Sequence, residues 1–77
     1  MDEQRRKELL ELNQKLVRAV AKYYAKNEED IERLVIAGNK GLIMAVNSFD
    51  KGDNYHFMGH AIWYIKRAIE LELTKGV

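Results

Sequence analysis

The chain has 77 residues, enough for one small domain with a single core, and we assign residues 1–77 to that one domain. It has no cysteine, which excludes disulfide bonds, cysteine zinc sites and thiol nucleophiles. The net charge of +1 provides no overall attraction for nucleic acid, and the apolar runs are too short for a membrane span or an export signal. We therefore expect a soluble cytoplasmic protein without membrane contacts.

The first predicted element is a long amphipathic helix over about residues 2–25. Apolar residues recur there every three or four positions, which places them on one face of a helix. Charged residues in its first turn and lysines near its end are typical of helix termini. The apolar positions that define this face are Leu9, Leu12, Leu16 and Val20.

The second predicted helix begins at Asn27 or Asp30, either of which can cap the free amides of the first turn. Its apolar pattern continues to Phe49. Gly38 and Gly41 lie inside this pattern, although each glycine costs a helix about 1 kcal/mol relative to alanine. We therefore expect them to allow close approach of the first helix.

A turn is predicted over residues 50–54, and the third helix begins between Tyr55 and Met58 and ends near Thr74. The fold class is therefore all-α, a compact three-helix bundle with or without a short extra turn. On the third helix we expect one face to pack in the core and at least some rings of the neighbouring face to lie at the surface. The core face comprises Phe57, Ala61, Ile65, Ala68 and either Leu71 or Glu72, and the neighbouring face comprises His60, Trp63, Tyr64 and Arg67.

Support for catalytic or metal chemistry is weak. His56 and His60 are four residues apart and could share a metal ion on a helix, but no third ligand is evident. Phe57 occupies the position where a zinc hydrolase of this type needs a glutamate. Ser48 has no base at a spacing that would predict a nucleophile, and no glycine loop for phosphate is present. We predict no enzyme activity, no metal site and no cofactor.

Residues 54–67 are rich in aromatic and imidazole rings and end with two cations, Lys66 and Arg67. We expect Phe49 and Phe57 in the core, since aromatic residues at helical spacing in a small bundle are usually buried. The remaining rings could stack on unpaired bases, with phosphates contacting the cations, or could anchor a partner protein. This surface group consists of His60, Trp63 and Tyr64 with Lys66 and Arg67.

Two consecutive segments carry a resemblance to a known family. These are A-G-N-K-G-L-I-M-A-V-N-S-F-D at residues 37–50 and K-G-D-N-Y-H-F-M-G-H-A-I-W-Y-I-K-R-A-I at residues 51–69. Together they resemble conserved region 2 of bacterial RNA polymerase sigma factors of the housekeeping class. The upstream L-N-Q-K-L-V-R-A-V-A-K-Y-Y is similar to the helix that opens that region, so the likeness covers about residues 9–70.

The resemblance implies two binding surfaces on a helical domain. One docks on the clamp helices of the largest polymerase subunit, and the other captures the non-template strand of the minus-ten promoter element while an adenine flips out of the duplex. The polymerase-binding positions it implies are Arg33, Ile36, Ala37 and Asn39. The DNA-binding positions it implies are Phe49, Tyr55, Phe57, His60, Trp63, Tyr64, Lys66 and Arg67.

Several positions depart from the pattern of this family. His60 replaces the tyrosine that usually stacks on the flipped base, and Glu70 replaces a small hydroxyl residue on the DNA face. A carboxylate there would repel phosphate. Arg33, Ile36 and Ala37 replace an aspartate, a glutamine and a glutamate, so the carboxylates that usually bind polymerase are lost.

Three functional hypotheses follow from this resemblance. The first is a stand-alone, divergent sigma region 2 protein of bacterial or phage origin, which binds polymerase core, the single-stranded minus-ten element or both. The second is a regulatory interaction module on the same scaffold, which completes a split sigma factor or acts as a decoy without binding DNA. The third is a fragment of a longer sigma factor.

Overall fold

The structure, a computed structural model, describes residues 2–49 and 57–75. All regular secondary structure in these two ranges is helical, which confirms the all-α class. The prediction of three helices was wrong, because the first predicted helix is divided into two. The four helices of the described residues are α1 (Glu3–Leu12), α2 (Gln14–Tyr24), α3 (Glu28–Ser48) and α4 (Phe57–Thr74). None of them is both long enough and apolar enough to cross a membrane.

The break between α1 and α2 occurs at Asn13, whose backbone leaves the helical region with φ −104° and ψ 12°. Its side-chain amide donates to the Leu9 carbonyl at 2.8 Å, and the Gln14 amide donates to the Leu10 carbonyl at 2.9 Å. Such side chains compete with the backbone for helical hydrogen bonds, which explains the interruption. Leu9 and Val17 are nevertheless both buried, so the apolar face continues across the break.

Side-chain caps define the beginnings of two helices. The Asp2 carboxylate accepts from the Arg5 amide at 2.7 Å, at the start of α1. The Asn27 side chain accepts from the Asp30 amide at 3.0 Å, so Asn27 is the cap of α3. Caps of this kind contribute about 1 kcal/mol each to stability.

Helix α3 is central, because it packs against each of the other three helices. Ala61 and Ile65 of α4 are buried as predicted. Ile69 completes this face. Of the two alternatives predicted for its end, Leu71 is exposed and Glu72 is half-buried. The buried apolar cluster comprises Leu9, Val17, Ala21, Leu34, Leu42, Ala45, Val46, Ala61, Ile65 and Ile69.

The two glycines of α3 allow different helices to approach closely. A Cβ atom added at Gly38 would lie 2.9 Å from Val17 Cγ1, so this glycine accommodates α2, as predicted. A Cβ atom added at Gly41 would lie 2.4 Å from the backbone carbonyl oxygen of Tyr64. The prediction that both glycines face the first helix was therefore wrong for Gly41, which allows the close crossing of α3 and α4.

Candidate nucleic-acid interface

A continuous row of rings runs from the end of α3 along α4. The Phe49 and Phe57 centroids are 5.1 Å apart, and the His60 centroid is 5.5 Å from that of Phe49 and 5.1 Å from that of Tyr64. The Trp63 ring meets Tyr64 edge to face at 5.0 Å. Spacings of three and four residues on α4 produce this row, because they bring side chains to one side of a helix. We call Phe49, Phe57, His60, Trp63, Tyr64 and Arg67 the ring surface.

Trp63 and Arg67 are the exposed members of the ring surface, and its other members, including His60 and Tyr64, are half-buried. Phe57 and Tyr64 are partly buried and pack against the core, and Phe49 is also half-buried. The prediction of Phe49 and Phe57 as core residues is therefore confirmed only in part. Trp63 is 59% exposed, so much of its ring is accessible to a ligand.

Trp63 separates two grooves. Arg67 lies one turn further along α4, and its guanidinium carbon is 5.7 Å from the Trp63 ring centroid, within cation–π range. One groove, which we call the lysine groove, has a volume of about 400 Å³ and is lined by Gly59, Ile62, Trp63, Lys66, Arg67 and Glu70. The other, which we call the apolar groove, has a volume of about 310 Å³ and is lined by Met44, Trp63, Tyr64, Arg67, Ala68 and Leu71.

His60 links α4 to α3 through polar contacts. Its Nε2 atom lies 3.0 Å from the Ala45 carbonyl oxygen and 3.0 Å from Ser48 Oγ. A carbonyl oxygen only accepts, so Nε2 carries the hydrogen and cannot take the proton of Ser48. The Ser48 hydroxyl itself donates to Ala45 at 3.3 Å. Ser48 and His60 are therefore a structural contact rather than a nucleophile and its base.

Glu70, at the end of the lysine groove, is bound by a residue that the sequence analysis missed. The Tyr24 hydroxyl of α2 donates to Glu70 Oε2 at 2.6 Å. This hydrogen bond to a carboxylate raises the pKa of Tyr24 to about 12, with desolvation and the nearby charge adding to the effect. The two residues are 46 positions apart, so no local pattern could have predicted the contact.

We expect the Tyr24 phenol to ionise later than ordinary tyrosine. Its folded pKa is raised, so its stabilising effect is complete below pH 10, the ordinary tyrosine pKa, and is lost as pH rises through about 12. Tyr24→Phe should lower the free energy of unfolding by about 1 kcal/mol at neutral pH, and this difference should disappear at high pH. An absorbance titration should show a phenol that ionises late, and Tyr24→Phe should remove it. Persistence of the late ionisation in Tyr24→Phe, or its absence from the parent domain, would contradict the assignment.

Arg33, a predicted polymerase-binding residue, is held within the domain. Its guanidinium lies 3.3 Å from Glu72 of α4 and 3.5 Å from Asp30. Partial burial raises the pKa of Glu72, but hydrogen bonds from Lys75 and Arg33 outweigh this effect and hold the pKa below its ordinary value. Arg33 thus joins α3 to α4 through an ion pair.

The other three predicted polymerase-binding positions differ in accessibility. Ala37 is buried, so its side chain packs in the interior rather than contacting a partner. Asn39 is half-buried, and its side-chain oxygen accepts from the Gln14 amide at 2.8 Å. Ile36 is 63% exposed. Helix α3 therefore does not present these positions as one polar surface.

Lys66, Tyr55 and the metal candidate His56 are the remaining predicted positions. Lys66 is exposed, and it lines both the lysine groove and a hollow beside Tyr23 on α2. Tyr55 and His56 lie outside the described residues. Within residues 2–49 and 57–75, no three histidine or acidic side chains lie close enough together to hold a metal ion.

Comparison with known proteins identifies the family of this helical domain. The sequence profile described as Sigma-70 region 2 matches residues 9–75. The chain belongs to the sigma-70 region 2 family. Sigma factors are not enzymes; they act in transcription initiation, and this region 2 domain shares their ancestry. The early resemblance to region 2 of the sigma factors is thereby confirmed.

Two curated relatives illustrate the relationship of this region 2 domain to complete sigma factors. It is 35% identical over 69 residues to RNA polymerase sigma factor RpoS of Coxiella burnetii (strain RSA 493 / Nine Mile phase I), covering 90% of the chain and 20% of that protein. It is 38% identical over 68 residues to RNA polymerase sigma factor SigA of Bacillus sp, covering 88% of the chain and 18% of that protein. The chain thus spans about a fifth of the length of these relatives.

Proposed function

We propose that this region 2 domain acts in transcription initiation by binding the unpaired non-template strand of the minus-ten promoter element on its ring surface. The observation that carries the proposal is the exposed Trp63 ring between two grooves, with Arg67 beside it. A base stacked on such a ring contributes about 1 to 3 kcal/mol to binding. Lys66 and Arg67 lie along the same helix and supply charges for the phosphates.

Phosphate contacts contribute little to the affinity of the proposed strand binding. Lys66 and Arg67 are the two cations that line the lysine groove, and Glu70 opposes them. For single strands, the logarithm of the binding constant falls with the logarithm of salt by about 0.7 for each neutralised phosphate. We therefore expect a shallow salt dependence, since stacking supplies most of the affinity.

Quenching of tryptophan fluorescence tests the DNA proposal directly, because Trp63 is the only tryptophan in the chain. A single-stranded oligonucleotide with a minus-ten-like sequence should quench it, and the same sequence as a closed duplex should quench it far less. The reason is that a paired and stacked base cannot reach the ring. If no single-stranded oligonucleotide quenches Trp63 fluorescence at low salt, the DNA proposal is overturned.

Docking on polymerase core is a separate part of the proposal. Asn39 is the one position of the implied polymerase-binding set that keeps the residue usual in the family, and it lies on α3 against Gln14. Co-purification with the core enzyme should therefore be reduced by Asn39→Ala. Asn47→Ala is the matched control, since Asn47 is an exposed asparagine on the same helix. Equal recovery of core with both variants would contradict this role for Asn39.

A second candidate function is a regulatory interaction module that binds another sigma fragment or a regulator instead of DNA. Two exposed isoleucines on α3 favour it: Ile36 and Ile43 are seven residues apart and so lie on the same side of the helix. Arg33, in place of a carboxylate and paired with Glu72 and Asp30, adds no negative charge to this face. If the domain recovers such a partner in place of core enzyme, and no single strand quenches Trp63, this second function is favoured.

A further inference from the structure

The lysine groove contains a negatively charged acceptor as well as a stacking ring. Trp63 and Arg67 form one part of its lining, and Glu70 lies at positions i+7 and i+3 from them on α4. Residues at these spacings lie on the same side of a helix. A base that enters this groove would therefore meet both a stacking ring and a carboxylate.

Tyr24 fixes that carboxylate in place. Its hydroxyl donates to Glu70 Oε2 at 2.6 Å from α2, a helix that does not line the lysine groove. An exposed glutamate ordinarily samples many rotamers, and a hydrogen bond from a neighbouring helix restricts them. Each carboxylate oxygen has two acceptor sites, so Oε2 can accept from Tyr24 and from a ligand together.

The bases differ in what they offer to a carboxylate. On its Watson–Crick edge, guanine places two donors side by side, N1–H and the N2 amino group, which match the two oxygens of a carboxylate. Adenine and cytosine place an acceptor nitrogen beside their amino group, and thymine places carbonyl oxygens on both sides of N3–H. An ionised carboxylate only accepts, so these acceptors would repel it. Guanine is thus the one base that pairs with Glu70 through two hydrogen bonds.

We propose that Glu70, positioned by Tyr24, makes the lysine groove selective for guanine in a single strand. This inference rests on the proposed function, since it concerns the same strand-binding surface. The carboxylate weakens binding of the strand in general, because it repels phosphate. Guanine alone compensates for this repulsion, through two hydrogen bonds to a charged acceptor.

Competition among short oligonucleotides tests the inference. The probes are thymine single strands that carry one central guanine, adenine or cytosine, with an all-thymine strand as reference, and Trp63 quenching is the readout. The guanine strand should bind about tenfold more tightly than the others. Glu70→Gln should remove most of this preference and should also tighten binding of the all-thymine strand. Tyr24→Phe should reduce the preference without changing the charge.

Glu72→Gln is the matched control, because it removes one negative charge from the same helix but lies outside the lysine groove. It should keep the preference for guanine. The inference is overturned if the domain binds all four strands equally and Glu70→Gln strengthens the binding of all four alike. Glu70 would then only repel phosphate, and the proposal of strand binding would stand. If no strand quenches Trp63, both the inference and the proposed function fail.

Discussion

Replacing Trp63 with alanine should abolish most of the affinity of the domain for single-stranded DNA. The side chain is 59% exposed and borders both grooves, so it is the largest stacking face available to a base. Loss of one stacked base weakens binding by about 1 to 3 kcal/mol, which corresponds to a factor of roughly 5 to 150. Because this variant has no tryptophan, the affinity should be measured by fluorescence anisotropy of a labelled strand.

Met58→Ala is the matched control for this experiment. Met58 lies on α4 and is as exposed as Trp63, but it borders neither groove. Met58→Ala should keep the stability of the parent domain to within about 0.5 kcal/mol, since exposed side chains contribute little to folding. Trp63→Ala should lower it by about 1 kcal/mol, because it also removes the edge-to-face contact with Tyr64. Trp63→Phe should retain part of the affinity because it keeps an aromatic face. An unchanged affinity in Trp63→Ala would show that the ring surface does not bind the strand.

Replacing Gly41 with alanine should cause the largest loss of stability. The added Cβ would lie 2.4 Å from the carbonyl oxygen and 2.8 Å from the carbonyl carbon of Tyr64, both of which are backbone atoms. Helices α3 and α4 must then move apart, which we expect to cost about 3 kcal/mol after the gain in helix propensity of about 1 kcal/mol. Small domains are stable by about 5 to 15 kcal/mol, so urea unfolding monitored by circular dichroism would resolve this loss.

The other glycines provide graded controls. A Cβ atom at Gly59 would meet nothing within 4 Å, so Gly59→Ala should stabilise the domain by up to about 1 kcal/mol through helix propensity. Gly38→Ala should lie between the two, because its closest neighbour is a Val17 side-chain methyl, which can shift more easily than backbone. If Gly41→Ala proved as stable as Gly59→Ala, the close crossing of α3 and α4 would be wrong.

Much of the fold followed from local features of the sequence. The apolar spacing predicted helices along nearly all of the described chain, and Asn27 was one of two predicted caps of α3. These features can be predicted from the sequence because helix periodicity and capping depend on residues within about one turn of each other. The break at Asn13 also has a local cause, in the amides of Asn13 and Gln14. The break was not predicted, because the apolar face continues across it.

Spacing predicted which side chains of α4 lie on one side of the helix, but not how they are arranged. Spacing on α4 placed His60, Trp63 and Arg67 on one side of a helix, as the structure has them. Spacing could not show that His60 reaches back to Ala45, nor that the carboxylate of Glu70 is held by Tyr24. Those contacts require a particular rotation of α4 against α2 and α3.

The sequence alone therefore determined the helical class, the family and which side chains of α4 share one side of the helix, because these depend on short-range pattern and on matching residues along the chain. The tertiary structure decided which helix packs closely against each glycine of α3, that Arg33 binds Glu72, and that Trp63 borders two grooves. Each of these depends on side chains from different helices meeting across the core. Only close packing in three dimensions determines which of them meet.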